Sequence, residues 1–288
     1  MFCATCPKGA HPGGGVDSAR KVLVAGGDYV QFLGQSSPQA FLFTPGTATF
    51  AQTVPMKVPR ELPGIVKLPN GNILISGGLT GAAAACAATP TTPTAVTTNS
   101  SAEVYDPTVP SWTLTSGSSA TPGAAGGMNA KRIAAGSLFT SGTDMGKAII
   151  AGGIDAETTN GTTPNFPVCE MVTNLHQTTT ATSDLYDPAT TVFTATTGLL
   201  HLARGGYGFG ILTGGSNSGD LVVIGGECTN NTTPSLASAA VAGPEASAVC
   251  GQSGDYYELF NPSTGMWTVG AAAAASTPAN APASILLP

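Results

Sequence analysis

The stretch NILISGG, residues 72–78, decides how the rest of the chain is read. Four aliphatic or β-branched positions end in a glycine pair, which is a strand running into a backbone conformation that side chains would forbid. The same phrase occurs as KVLVAGG (21–27), KAIIAGG (147–153) and LVVIGG (221–226). Each copy is followed by a second phrase: AFLFTPG (40–46), AEVYDPT (102–108), SDLYDPA (183–189) and YELFNPS (257–263). A short strand with an aromatic near its start comes next, carrying Phe50, Trp112, Phe193 and Trp267. Ahead of the second, third and fourth Gly-Gly lies one more apolar run, headed by Arg60, Arg132 and Arg204. Short runs bounded by Gly, Pro and Asp-Pro or Asn-Pro turns are strands joined by hairpins. Helical periodicity is absent, and 38 Gly with 22 Pro would break it. The expectation is an all-β chain of four four-stranded antiparallel units, and four such sheets around an axis make a four-bladed β-propeller.

Those phrases resemble the kelch-repeat family in its bacterial form: Arg and an apolar strand, Leu-Pro-Asn-Gly, a strand ending in Gly-Gly, then acidic-Leu-Tyr-Asp-Pro and Trp or Phe. The resemblance covers most of the chain outside residues 1–19 and three insertions. It departs from the family in showing four units where five to seven are usual, and FTPG in the first unit lacks the Asp. The expected organisation is an N-terminal tail, 1–19, and one propeller, 20–288. Its blades fall at about 20–58, 60–116, 131–197 and 204–270. The first unit opens on its second strand, and the run at 283–288 (SILLP at its end) matches the missing innermost strand, so pairing of the terminal strands is expected to close the ring.

The Gly-Gly pairs ending at 27, 78, 153 and 226 stand 51, 75 and 73 residues apart, against about 50 for a kelch unit. The excess sits at 79–101, 154–182 and 227–255, expected as long loops that decorate one face. Cys86, Cys169, Cys228 and Cys250 lie in these insertions. Disulfides Cys228–Cys250 and Cys86–Cys169 are the expected staples, with Cys3 and Cys6 closing on each other or anchoring the tail. Thiols paired in a Thr/Ser-rich chain point to a secreted or cell-surface protein whose leader has been removed. Asn99, Asn160, Asn230 and Asn231 stand in N-x-S/T sequons, and residues 87–101 are Thr/Pro-rich, so glycosylation is a candidate modification.

Charged residues are 9% of the chain and the net charge is -6, with no basic run, which argues against nucleic acid. No apolar stretch reaches the ~20 residues of a spanning helix. Two sets of acids recur. Glu103, Asp184 and Glu258 share one repeat position and are expected to pair with Arg60, Arg132 and Arg204, tying neighbouring blades together. Asp28, Asp155 and Glu227 lie just past Gly-Gly and could ring a cation or basic ligand on the decorated face. Galactose- and glyoxal-oxidase-like copper-radical enzymes also resemble kelch propellers, but their site needs two His, two Tyr and a Cys. The three His here, His11, His176 and His201, are scattered, and Tyr105, Tyr186 and Tyr257 belong to the repeat phrase. No catalytic residues, metal ligands or cofactor are therefore assigned. The expected function is a non-catalytic extracellular binding or assembly module, a structural subunit of a filament, sheath or surface layer. Its partner would be protein, including copies of itself, or glycan. The alternatives are a fragment of a copper-radical oxidase-like enzyme and a glycan-binding propeller.

Overall fold

The structure, a computed structural model, describes residues 13–16, 21–27, 36–81, 96–118, 125–158, 175–226 and 257–270. Every described element is a strand. Unit 1 is β1 (Gly13–Val16), β2 (Val22–Ala25), β3 (Ala40–Thr44) and β4 (Thr49–Gln52), hydrogen-bonded in that order. Unit 2 is β5 (Gly64–Lys67), β6 (Ile73–Ser76), β9 (Ala102–Asp106) and β10 (Ser111–Leu114). Unit 3 is β11 (Gly136–Leu138), β12 (Ala148–Ala151), β15 (Ser183–Asp187) and β16 (Val192–Ala195). Unit 4 is β17 (Gly208–Ile211), β18 (Leu221–Ile224), β19 (Tyr257–Asn261) and β20 (Met266–Val269). All pairings are antiparallel, with the Gly-Gly strand second in each sheet. The turns after β9, β15 and β19 are set by their Asp or Asn: Asp106 accepts from Thr108 N–H at 2.8 Å, Asp187 from Ala189 N–H at 2.8 Å, and Asn261 from Ser263 N–H at 2.9 Å. Hydrogen bonds from the Thr108 hydroxyl and N–H hold the half-buried Asp106 carboxyl below its usual range.

Because side chains alternate across a strand, each sheet offers one apolar face to the unit before it and one to the unit after. Three cores result. Leu23, Ala25 and Ala40 of unit 1 meet Ile73, Ile75, Tyr105 and Trp112 of unit 2. Leu74 and Ala102 of unit 2 meet Ile150, Tyr186 and Phe193 of unit 3. Ile149 and Ala151 of unit 3 meet Leu221, Val223, Phe260 and Trp267 of unit 4. Full burial of each Leu, Ile, Val or Phe among them is worth roughly 1.5–3 kcal/mol, so these faces hold the units together. The first strands of the units lie side by side in the order β1, β5, β11, β17, and no comparable packing joins β17 back to β1 among the described residues.

Two expectations change. The first strand of unit 1 comes from the expected tail: β1 pairs with β2 from Gly13↔Ala25 to Val16↔Val22, so the place reserved for residues 283–288 is taken. Three glycines and a valine gave no apolar signal, which is why the strand was not legible. Residues 283–288 themselves lie outside the described residues. Second, the insertions of units 2 and 3 are not only loops. β7 (Leu79–Gly81) and β8 (Val96–Thr98) form one hairpin, β13 (Ile154–Thr158) and β14 (Leu175–Thr179) another, and they join in a fifth sheet ordered β14-β13-β8-β7. In unit 4 Phe260 holds the position of Tyr105 and Tyr186, stacking on Trp267 at 5.3 Å as Tyr105 does on Trp112 at 4.9 Å and Tyr186 on Phe193 at 5.0 Å.

Candidate functional site

The chain's repeated polar chemistry converges where one unit hands over to the next. Four residues before each first strand of units 2, 3 and 4 stands an arginine: Arg60, Arg132 or Arg204. All three are buried. Their backbones belong to the preceding unit, because Arg60 C=O accepts from Gly27 N–H at 2.8 Å, Arg132 C=O from Gly78 at 2.9 Å and Arg204 C=O from Gly153 at 2.8 Å. Their guanidinium groups belong to the following unit. Arg60 donates from Nε to Glu103 at 3.3 Å, Arg132 from Nη2 to Asp184 at 2.7 Å, and Arg204 from Nη2 to Glu258 at 2.9 Å. Each also donates from Nη1 to the carbonyl of the first glycine of its own pair: Gly77 at 2.7 Å, Gly152 at 3.1 Å, Gly225 at 2.9 Å. The structure thus brings together all three expected Arg–carboxylate pairs, each bridging two units.

The glycine pair follows from this geometry. Gly77 and Gly78 have φ of +62° and +90°, open to glycine and strained for other residues. A Cβ on Gly77 would lie 2.2 Å from the Arg132 carbonyl oxygen. The missing side chain lets that carbonyl approach, and the second glycine's N–H then satisfies it.

Carboxylates complete the joint. Glu103 accepts from Lys57 N–H at 2.8 Å and Val58 N–H at 3.2 Å; Glu258 accepts from His201 N–H at 2.6 Å and Leu202 N–H at 3.2 Å; Asp184 accepts from Asn129 N–H at 3.2 Å. Those donors lie two or three residues before each arginine. One residue further back a large apolar side chain, Met56, Met128 or Leu200, is buried in the core below. Sequence reading missed this plug, although an apolar residue four before each Arg is a signal that was there. Trp112 and Trp267 reach back too, donating from Nε1 to Val54 C=O at 2.8 Å and to Ser183 Oγ at 3.1 Å.

Electrostatically the joints are sealed. Burial pulls the Arg60 and Arg132 guanidinium groups below their ordinary value, and the facing Glu103 and Asp184 push them back. Burial likewise pushes the Asp184 carboxyl up, against Arg132 and the Asn129 N–H. Paired, hydrogen-bonded charges of this kind are tolerable in a core where a lone one is not. Burial, helped by Asp187, pushes the Tyr186 phenol up to about 12. Tyr207, whose hydroxyl donates to Ala151 C=O across the junction between units 3 and 4, is pushed up further by burial.

Of the second acid set only Asp155 lies among the described residues. Asp155 accepts a hydrogen bond from Thr98, tying the two insertion hairpins together beside the Glu157↔Thr97 pairing; Asp28 and Glu227 lie outside the described residues. Leu79 and Ile154 open the hairpins and rest on Leu62 and Ile133. The Thr- and Val-rich runs AVTTNS and LHQTTT carried that β signal. Asn99 is corrected as a glycan site. It is buried, its Nδ2 donating to Thr80 Oγ1 at 3.1 Å and its Oδ1 accepting from Ser101 N–H at 2.6 Å, so the nitrogen that would carry a sugar is not presented to solvent. Asn160, Asn230 and Asn231, and Cys3, Cys6, Cys86, Cys169, Cys228 and Cys250, lie outside the described residues, as does His11. His201 is on the junction between units 3 and 4, Nδ1 3.4 Å from Glu258. Among the described residues no three His, Cys, Asp or Glu are grouped to hold a metal ion, and no helix is long and apolar enough to cross a membrane.

No protein-family profile matches the chain, and no curated protein matches it. Among solved structures it is similar to the one titled "Structure of YjhT", with a TM-score of 0.54 and 12% identity over 95% of this chain and 68% of that one. That likeness is one of fold alone.

Proposed function

We propose that the four units are consecutive blades of a kelch-like propeller, and that the protein is a non-catalytic extracellular assembly module, a structural subunit of a filament, sheath or surface layer. The observation that carries this reading is where the reactive side chains are spent. The three repeated arginines and their three carboxylates are buried and committed to holding one blade against the next. Such joints make a stiff scaffold, with Trp and Tyr also consumed inside the junctions. A surface made chiefly of Thr, Ser, Ala and Gly, with charged residues at 9%, opposes association only weakly. The likeness to YjhT supports the fold part of the reading and nothing about partners.

Electron microscopy and sedimentation of the full chain over rising concentration test it. Ordered assemblies that grow with concentration are expected. A monodisperse monomer at the highest concentration overturns the assembly reading.

A further inference from the structure

One place in the fold is matched by two stretches of this chain. The inner edge of β2 is held by β1, with Gly13 opposite Ala25 and Gly15 opposite Leu23. In unit 2 the same edge is held by β5, with Gly64 opposite Ser76 and Val66 opposite Leu74. Ala25 and Ser76 each stand directly before their glycine pair, so Gly15 has the register place of Val66. Two residues on, the place of Leu68 falls to Asp17, just past β1. In unit 2 these two places feed the core shared with the next unit: Val66 is 5% and Leu68 2% exposed. In unit 3 the place of Leu68 belongs to Phe139, whose N–H meets Lys147 C=O as the N–H of Leu68 meets Asn72 C=O, and it is fully buried in the following core. A glycine and an aspartate have no apolar side chain to give at either place.

The stretch ASILLP, residues 283–288, has what β1 lacks. With Leu287-Pro288 set on Leu68-Pro69, Ile285 falls on Val66, so both inward places receive a large aliphatic residue. Glycines in a strand weaken it, because they lose the most backbone freedom and pack nothing. The edge of β2 is thus held by the poorer of two matching strands. In the single copy β1 has the place, so the better match comes to it from another copy.

Resting on the assembly reading above, we infer that residues 283–288 of one copy replace β1 of the next, pairing with β2 and setting Ile285 and Leu287 into the core between units 1 and 2. β1 is then a placeholder that keeps the edge of β2 paired until a donor strand arrives. Main-chain hydrogen bonds supply the affinity, and the two apolar side chains fix the register. Every copy gives one strand and receives one, so the contact is heterologous and links copies in series.

Two double variants of the full chain test it. Ile285→Asp with Leu287→Asp spoils the donor strand, and Gly15→Val with Asp17→Leu gives β1 the residues of unit 2 and locks it in place. By sedimentation velocity, the unaltered chain should form species that grow with concentration. Each variant alone should associate at least tenfold more weakly, with an unchanged far-UV spectrum. An equimolar mixture should give a dimer and stop there, since only the intact donor of the locked chain and the exchangeable edge of the other can meet. Either variant assembling as the unaltered chain does would overturn strand exchange while leaving assembly standing. An unaltered chain that stays monomeric would overturn both. A donor-spoiled monomer that melts at a lower temperature yet assembles normally would place residues 283–288 in their own chain, and that too overturns the inference. Should a variant misfold, the synthetic peptide APASILLP in excess over the unaltered chain decides: it should cap growth, and a peptide carrying Ile285→Asp and Leu287→Asp should not. Equal effects of the two peptides would refute the exchange.

Discussion

Glu103 and Phe41 hold the same place in two successive units, opposite Ile75 and Val24 of their respective Gly-Gly strands. Glu103 is buried against a guanidinium and two backbone N–H groups. Among the described residues no arginine faces Phe41, which is buried opposite Val24 on a face outside the three cores. A covalently continuous junction can rely on a buried ion pair, because its partner is delivered by the connecting segment every time the chain folds. The contrast separates a position committed to an ion pair from one committed to apolar packing, and it can be attacked experimentally.

The hardest blow falls on the pair in the middle. Asp184→Ala leaves the buried Arg132 uncompensated and should cost about 3–5 kcal/mol, read as a lower midpoint in chemical denaturation. The double variant Arg132→Met with Asp184→Leu, apolar as the unit 1 face already is, should recover most of that loss. A double variant as unstable as the single one would show that the ion pair does more than neutralise itself.

Next comes the glycine pair. Gly77→Ala sets a Cβ against the Arg132 carbonyl at a positive φ and should destabilise by roughly 2–4 kcal/mol. Gly210→Ala, where an added Cβ meets nothing within 4 Å, should change stability by less than about 1 kcal/mol. Equal effects on thermal unfolding would erase the distinction between the two glycines.

The smallest effect is an alkaline one. Tyr105 and Tyr186 occupy in units 2 and 3 the position that Phe43 and Phe260 fill in units 1 and 4. The Tyr186 phenol titrates at about 12 in the folded protein, against about 10 in an unfolded chain. A raised folded value means that the native state holds its proton longer. The stabilisation is therefore complete below pH 10 and is lost as pH rises toward 12. Tyr186→Phe should flatten that limb of the stability profile, and a spectrophotometric titration with every tyrosine ionising near pH 10 would contradict it.

Much of this architecture could be read along the chain. Four Gly-Gly strands in register with four Pro turns mark strands and their order, since alternation and turn chemistry are local properties. Arg60, Arg132 and Arg204 could be matched with Glu103, Asp184 and Glu258 because both recur at the repeat's own period. β1 could not be found, for GGGV has almost no side chains to show a pattern. The plug residues Met56, Met128 and Leu200 were visible only as single apolar letters in connecting segments, and their role depends on a core built from two other units.

By itself the sequence determined the unit: which runs extend, where they turn, and which charged positions recur, because these depend on near neighbours and on spacing. Tertiary structure alone decided what each recurrence is for. The first glycine of a pair is bare because an arginine carbonyl from the next unit's lead-in comes within reach of it. Two insertions from different units combine into one sheet, because hairpins leaving neighbouring Gly-Gly ends rise side by side with unpaired backbone edges. Neither fact resides in any one stretch of chain, since each is a contact between segments tens of residues apart.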